Sequence, residues 1–197
     1  MFKYKVDDRL YLAQLETGHA EELFQLTVRN REHLGEWLPF AHATHRVEDT
    51  LAYLESCRVR HEAQDGLSAG IWREGQLVGT IGLHDYNRDN RRVEIGYWLS
   101  EDCCGQGIMT RACRVLINYV FSDLEFNRVQ IKAAVGNLPS RAIPERLGFT
   151  QEGTLRDYSF LNGHYVDMAV YGMLRREWTK GVYNGRTASG TQEGKVI

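Results

Sequence analysis

The sequence predicts a mixed α/β domain, a mostly antiparallel sheet with one parallel strand pair at its centre and helices flanking it. Three observations carry this. Residues 94–122 read as a strand, a glycine turn and an amphipathic helix in immediate succession. A further strand, 128–134, follows that helix, and a strand–helix–strand crossover makes the two strands parallel. On either side lie strand pairs joined at Glu74-Gly75 and Asn162-Gly163, which are hairpin signals and make antiparallel neighbours.

In chain order, Leu10 to Leu15 is the first strand. Thr17 reads as the N-cap of a helix with Glu21 and Glu22 in its first turn. That helix is expected to run to about Leu34 with Leu23, Phe24, Leu26 and Val28 inward. Gly35 breaks it, and Pro39 holds Leu38 extended. Trp37 and Phe40 are large apolar groups in the loop that follows, either a staple pinning the helix to the body of the domain or a substrate wall. A second helix, Val47 to Gln64, carries Leu51, Leu54 and Val59 as its apolar positions. Strands Leu67–Trp72 and Leu77–His84 precede the central strand. There Val93, Ile95, Tyr97 and Leu99 alternate with Glu94, Gly96 and Trp98, placing the last three on one face. Glycine inside a strand marks a close approach of a ligand or another backbone. The helix after the turn has a polar stripe, Arg111, Arg114, Asn118 and Ser122, and lies against the sheet with the rest of its surface. Beyond strand 128–134, Ser140 is read as the cap of a short helix that Gly148 ends. Strands 151–161 and 164–174 close the domain at about residue 178, and 179–197, rich in Gly, Ser and Thr without periodicity, read as a mobile tail.

The 197 residues suit one domain with a sizeable core. Hydrophobic residues are 43% and charged residues 25%, ordinary for a globular protein, and the net charge of −2 gives no case for nucleic acid or an anionic membrane. Cys57, Cys103, Cys104 and Cys113 form no Cys-x-x-Cys pair, which points to reduced thiols in the cytoplasm and not to zinc or disulfides. The N-terminus lacks the apolar core of a signal peptide, no apolar run reaches membrane-spanning length, and His33, His42, His45 and His61 show no metal spacing.

The turn C-C-G-Q-G-I-M-T, residues 103–110, is the candidate anion site. Gly105 and Gly107 allow backbone conformations that a Cβ forbids, and the next amides open a helix without partners inside it. With the helix dipole these amides suit a phosphate. A P-loop is excluded because Ile108 and Met109 stand where Lys and Ser/Thr are needed, and Thr110 takes the last glycine position of a dinucleotide fingerprint. Two readings stay open on the residues alone: a phosphate cradle and a tight strand-to-helix turn with no ligand.

The order of elements, together with N-L-P-S-R-A-I-P-E-R-L-G-F (137–149), resembles the GNAT superfamily of acetyltransferases. N-R-E-H-L-G-E-W-L-P (30–39), V-E-I-G-Y-W-L (93–99) and Y-S-F-L-N-G-H-Y-V-D (158–167) are similar to the RimJ/RimL group of protein N-terminal acetyltransferases. The resemblance spans Leu10 to Trp178. It implies the GNAT fold with a splayed central strand pair, and acetyl-coenzyme A as co-substrate. It implies that backbone groups of Trp98 and Leu99 hold the pantetheine arm, and that Gly105, Gln106, Gly107, Ile108, Met109 and Thr110 hold the pyrophosphate. Asn137 and Ser140 match positions that touch the arm and the sulfur. Cys104 and Met109 depart from the family's turn pattern, Arg/Gln-x-x-Gly-x-Gly/Ala.

The chemistry needs a base for the acceptor amine and a donor for the leaving thiolate. Ser140 is the candidate donor. Glu94 is the candidate base, its other reading being a structural carboxylate paired with an arginine. A glutamate that serves as base in some relatives falls at Ser159 here, which keeps a coenzyme A-binding module without turnover open as an alternative. The expected acceptor is a protein N-terminal α-amine, a ribosomal protein being one such substrate, with Trp37 and Phe40 at its site. A polyamine or aminoglycoside is the alternative, and a second copy of the chain is the other expected partner.

Overall fold

Among the described residues, 2–178 of a computed structural model, eight strands form one sheet. They are β1 (Lys3–Lys5), β2 (Leu10–Gln14), β3 (Leu67–Arg73), β4 (Gln76–Asn87), β5 (Arg92–Leu99), β6 (Arg128–Ala134), β7 (Thr150–Leu161) and β8 (His164–Leu174), in the order β1-β2-β3-β4-β5-β6-β8-β7. All neighbours are antiparallel except β5 and β6. The expected mixed sheet with its central parallel pair is therefore present. The expected tail, 179–197, lies outside the described residues.

Alternation along the strands sorts the side chains into two layers. On one face Val93 and Ile95 of β5 and Val129 and Ile131 of β6 join Ala112, Leu116 and Val120 of α5 (Ile108–Ser122) in the main core. Helix α6 (Leu138–Arg146) adds Ile143 to it. On the other face α1 (Ala20–Arg29) and α4 (Val47–Glu62) pack on β3 and β4 around a smaller cluster of Leu23, Leu26, Leu54, Trp72 and Leu77. Two short helices, α2 (Arg31–Gly35) and α3 (Phe40–Ala43), join α1 to α4.

The turns follow their residues. Asn162 and Gly163 take φ of 50° and 85°, and Glu74 and Gly75 take 52° and 84°, the two left-handed positions that a two-residue hairpin requires. Gly148, at φ 80°, ends α6.

Six expectations change. Thr17 does not cap the first helix: it opens a 3-10 turn, Thr17–His19, that Glu16 precedes as N-cap, and the α-helix begins at Ala20. Strand β1 was not foreseen. The first long helix is two, because Asn30 accepts from the distant Glu101 amide at 2.9 Å and donates back to Leu26, which breaks the helical path there; Val28 is then exposed. The segment after Pro39 is a helical turn, α3. In α4 the buried face is Thr50, Leu54 and Cys57, at spacings of four and three, and Leu51 and Val59 face solvent. The cap of α6 is Asn137, whose Oδ1 accepts from the Ser140 amide at 3.1 Å, and Ser140 sits in the first turn.

Leu54 has no exposed surface and sits in the smaller cluster. Leu54→Ala is expected to cost about 2–5 kcal/mol, read as a fall in melting temperature. Because that cluster is separate from the main core, hydrogen exchange should show protection lost first in α1 and α4 and last in α5.

Candidate active site

Strands β5 and β6 are paired only at Arg92–Arg128, Val93–Val129 and Glu94–Gln130. Beyond Glu94 they part. Each remains paired on its outer side, β5 to β4 as far as Leu99 and β6 to β8 as far as Ala134. Residues 95–99 therefore present backbone groups to an open notch. An amide-bearing chain can satisfy them, as another strand would. Trp98 and Leu99 lie on this edge, where the sequence expectation puts the pantetheine arm.

Past the end of β5, Gly105 and Gly107 take φ of 73° and 69°. None of the amides of residues 105–110 finds an acceptor among the described residues, and the first helical bond after the turn is Arg111 N to Gly107 O, 3.2 Å. Free N–H groups at the start of a fifteen-residue helix are an anion cradle. Cations surround it: Arg73 reaches Gln106 Oε1 at 2.7 Å, Arg111 reaches Gln106 O at 3.1 Å, and Arg146 reaches Thr110 Oγ1 at 3.4 Å. The turn thus fits a pyrophosphate through backbone groups. The departures from the family pattern do not touch this: Met109 is in the core, and Cys104 points its thiol back to Ser100 O.

Across the notch from β5 lies the start of α6. Tyr97 Oη donates to Ser140 O at 3.1 Å, and Ser140 Oγ lies 3.5 Å from Tyr97 Oη. Burial, and then the Cys113 thiol, push the Tyr97 phenol far above its ordinary range, so it keeps its proton. Ser140 and Tyr97 make a paired hydroxyl site on the α6 side of the notch. Asn137 is occupied as the helix cap through its Oδ1.

The opposite side opens into a cavity of about 650 Å³ between the sheet and α1, α3 and α4. Its floor is Thr80, Gly82, His84, Gly96 and Trp98, and Phe40 and Tyr53 stand in its wall. Phe40 and Trp98 are 6.3 Å apart between ring centroids. Trp37 is not in that wall. Its indole lies over Gly136, whose added Cβ would come within 3.3 Å of the ring, so it pins the 35–39 segment to the β6–α6 junction. Asn162 Nδ2 holds the same segment from the final hairpin, donating to Glu36 O at 3.0 Å. Among the described residues Asp49 is the one carboxylate in the cavity wall, and it accepts from the His45 and Arg46 amides at the start of α4.

Glu94 shares the cavity face of β5, and its carboxylate is paired with Lys132 Nζ at 3.0 Å and accepts from Gln130 at 3.3 Å. The cation is a lysine and not the expected arginine, since β6 places Lys132 two residues past Gln130 on the same face. Lys132 also donates to Tyr158 Oη at 2.9 Å. Ser159 lies in an irregular stretch of β7 opposite Val166. The sequence reading passed over His84. Its one signal was cross-strand: His84 is in register with Glu94, and Gly82 with Gly96.

Residues 9–150 match the family described as acetyltransferase (GNAT) domain. YdaF of Bacillus subtilis (strain 168) is 42% identical over 181 residues, 90% of this chain and 98% of that protein. The ribosomal-protein-serine acetyltransferase of Escherichia coli (strain K12) is 32% identical over 170 residues, 86% of this chain and 95% of its own. Among solved structures, RimL, a ribosomal L7/L12 alpha-N-protein acetyltransferase in complex with coenzyme A, superposes with a TM-score of 0.85 at 26% identity, covering 88% of this chain and 98% of that one. An unpartnered amide turn at the head of a helix, a notch between parting parallel strands and these matches lead to one assignment: the chain belongs to the GNAT family of acetyltransferases, alongside relatives of the RimJ/RimL kind.

Proposed function

We propose that this enzyme transfers an acetyl group from acetyl-coenzyme A to the α-amine at the N-terminus of a protein, a ribosomal protein being the class its relatives suggest. One observation carries the choice of acceptor. The cavity meets the notch at Gly96 and Trp98, and its single carboxylate, Asp49, is already spent on capping α4. A polyamine brings several positive charges and needs clustered carboxylates to receive them. An α-amine brings one charge and a backbone that can hydrogen-bond.

When bound, acetyl-coenzyme A supplies an activated thioester. The amides of residues 105–110 hold its pyrophosphate, and backbone groups of Trp98 and Leu99 hold the arm. Asn137 orients the first turn of α6, where Ser140 lies beside the departing sulfur. Ser140 Oγ gives a hydrogen bond or proton to the thiolate, with Tyr97 as its partner. Phe40 walls the acceptor, and Trp37 keeps the loop that carries it in place. Glu94, bound by Lys132 and Gln130, contributes charge and orientation. A cytoplasmic enzyme that pairs with a second copy of itself is consistent with its reduced cysteines and with the long exposed edge strand β7.

A second reading has its own support. The cavity is enclosed enough for a small molecule. MccE, a microcin C7 self-immunity acetyltransferase solved with acetyl-CoA and AMP, superposes with a TM-score of 0.82 at 28% identity. Incubation with acetyl-coenzyme A and a panel of N-terminal peptides, lysine peptides and spermidine, followed by mass spectrometry, decides between them. Acetylation of spermidine with none of any N-terminal peptide would overturn the protein-acceptor assignment.

Three variants test the parts. Gly107→Val strains a backbone at φ 69° and should weaken acetyl-coenzyme A binding at least about tenfold by calorimetry on folded protein; unchanged affinity rules the turn out. Ser140→Ala should lower kcat by about a hundredfold with little change in KM for acetyl-coenzyme A, whereas a change in KM alone makes Ser140 a binding residue only. Phe40→Ala should raise the peptide KM by about tenfold and leave acetyl-coenzyme A affinity unaltered, because Phe40 is in the cavity wall and not on the notch.

A further inference from the structure

His84 is the only imidazole in the wall of the cavity among the described residues. Its ring lies against two glycine backbones. A Cβ on Gly96 would come within 3.1 Å of the ring and one on Gly82 within 3.2 Å, so larger residues at these positions would push the ring away. It makes no hydrogen bond among the described residues, and no buried side-chain nitrogen lacks a partner, so its ring nitrogens are open to the cavity. Its position is decisive. Pairing between β5 and β6 ends at Glu94, and Gly96 is the next residue on the cavity face. The ring therefore stands where the notch and the cavity meet.

Resting on the α-amine reading above, we infer that His84 is the base that takes the proton from the attacking amine. The N–C bond forms as the C–S bond breaks. The proton lost by the amine nitrogen goes to the imidazole and on to solvent, and the thiolate takes one from Ser140 Oγ, which regains one from solvent. Glu94 is less suited to first contact, because Lys132 and Gln130 hold its carboxylate and it lies one step inside the paired ladder.

The charges around the ring support this role. Burial and Arg60 of α4 lower the His84 pKa below the ordinary 6.5, and Glu94 of β5 raises it by less. Asp49 and Tyr53 of α4 and Tyr97 of β5 are the other ionisable groups in the cavity wall among the described residues, and the wall from α1 and α3 contributes none. The imidazole is therefore neutral at pH 7, with a lone pair to offer.

The test is the pH profile of kcat for wild type, His84→Gln and Glu94→Gln with saturating acetyl-coenzyme A and an N-terminal peptide. His84→Gln should lower kcat by about 10²–10³-fold, keep its affinity for acetyl-coenzyme A and lose the acid limb. Glu94→Gln should keep that limb but move it to lower pH, since the charge that raises the histidine pKa is gone. A His84→Gln enzyme within about threefold of wild type that retains the limb overturns the inference, as does loss of the limb in Glu94→Gln alone. A histidine Cε1–H NMR titration of the wild-type protein needs neither an acceptor nor a stable variant. There the His84 signal should titrate below the ordinary 6.5. If wild type acetylates spermidine and no peptide, the acceptor reading falls while the same His84 measurements are made on spermidine. If it acetylates nothing in the panel, the acceptor reading and the His84 inference both fall.

Discussion

The parting of β5 from β6 is the constraint on which the rest depends. Both strands are fully engaged on their outer sides, so separation forfeits only the inner ladder beyond Glu94–Gln130. The gap is bridged on the α6 side by the Tyr97–Ser140 hydrogen bond, which ties the free edge of β5 to the first turn of the helix that follows β6. Unpaired backbone groups lower stability unless water or a ligand satisfies them. Here two sets of them, along residues 95–99 and at 105–110, lie in line on one strand and the turn that ends it. A ligand with amides at one end and a pyrophosphate at the other meets both.

The cavity has an equally simple origin. On the α5 face the sheet presents Val93, Ile95, Val129 and Ile131, and α5 fills the space with Leu116 and Val120. On the other face it presents Thr80, Gly82 and Gly96, whose small side chains leave space beneath α1 and α4, while Ser68 reaches α4 by donating to Cys57 Sγ at 3.1 Å. Those helices rest instead on a rim that includes Trp72 and Leu77. Stability is concentrated on one side of the sheet, and empty volume for an acceptor on the other.

How far this was legible follows from the range of each signal. The β5–turn–α5–β6 unit and the hairpins were readable because strand period, glycine and Asn-Gly act over a few residues. The break at Asn30 was not, since it depends on the Glu101 amide, brought close only by the fold. Nor was the buried face of α4, where the partner strands, and not hydrophobicity, decide that Thr50 and Cys57 point inward and Leu51 and Val59 outward. At the site, the turn was proposed from local pattern and Ser140 from the family resemblance. His84 was missed because its setting comes from register: one residue gains meaning only when β4 lays it across Gly96.

On the proposed α-amine reading, with His84 as the base, a weak base in this position accounts for a preference between amines without a specificity pocket. An α-amine has a pKa of about 7.7–8.0 and a lysine side chain about 10.4, so at neutral pH the free-amine fractions differ by roughly 300-fold. A carboxylate free of ion pairs could accept a proton from either only after the amine had attacked, and would not change that ratio. A neutral imidazole of lowered pKa likewise cannot strip a lysine ammonium in advance. The enzyme then depends on the fraction already neutral, which favours chain termini. On the same reading the Arg60 guanidinium, which lowers the His84 pKa, reinforces this, since it opposes the build-up of positive charge on the ring and so favours return of the proton to solvent.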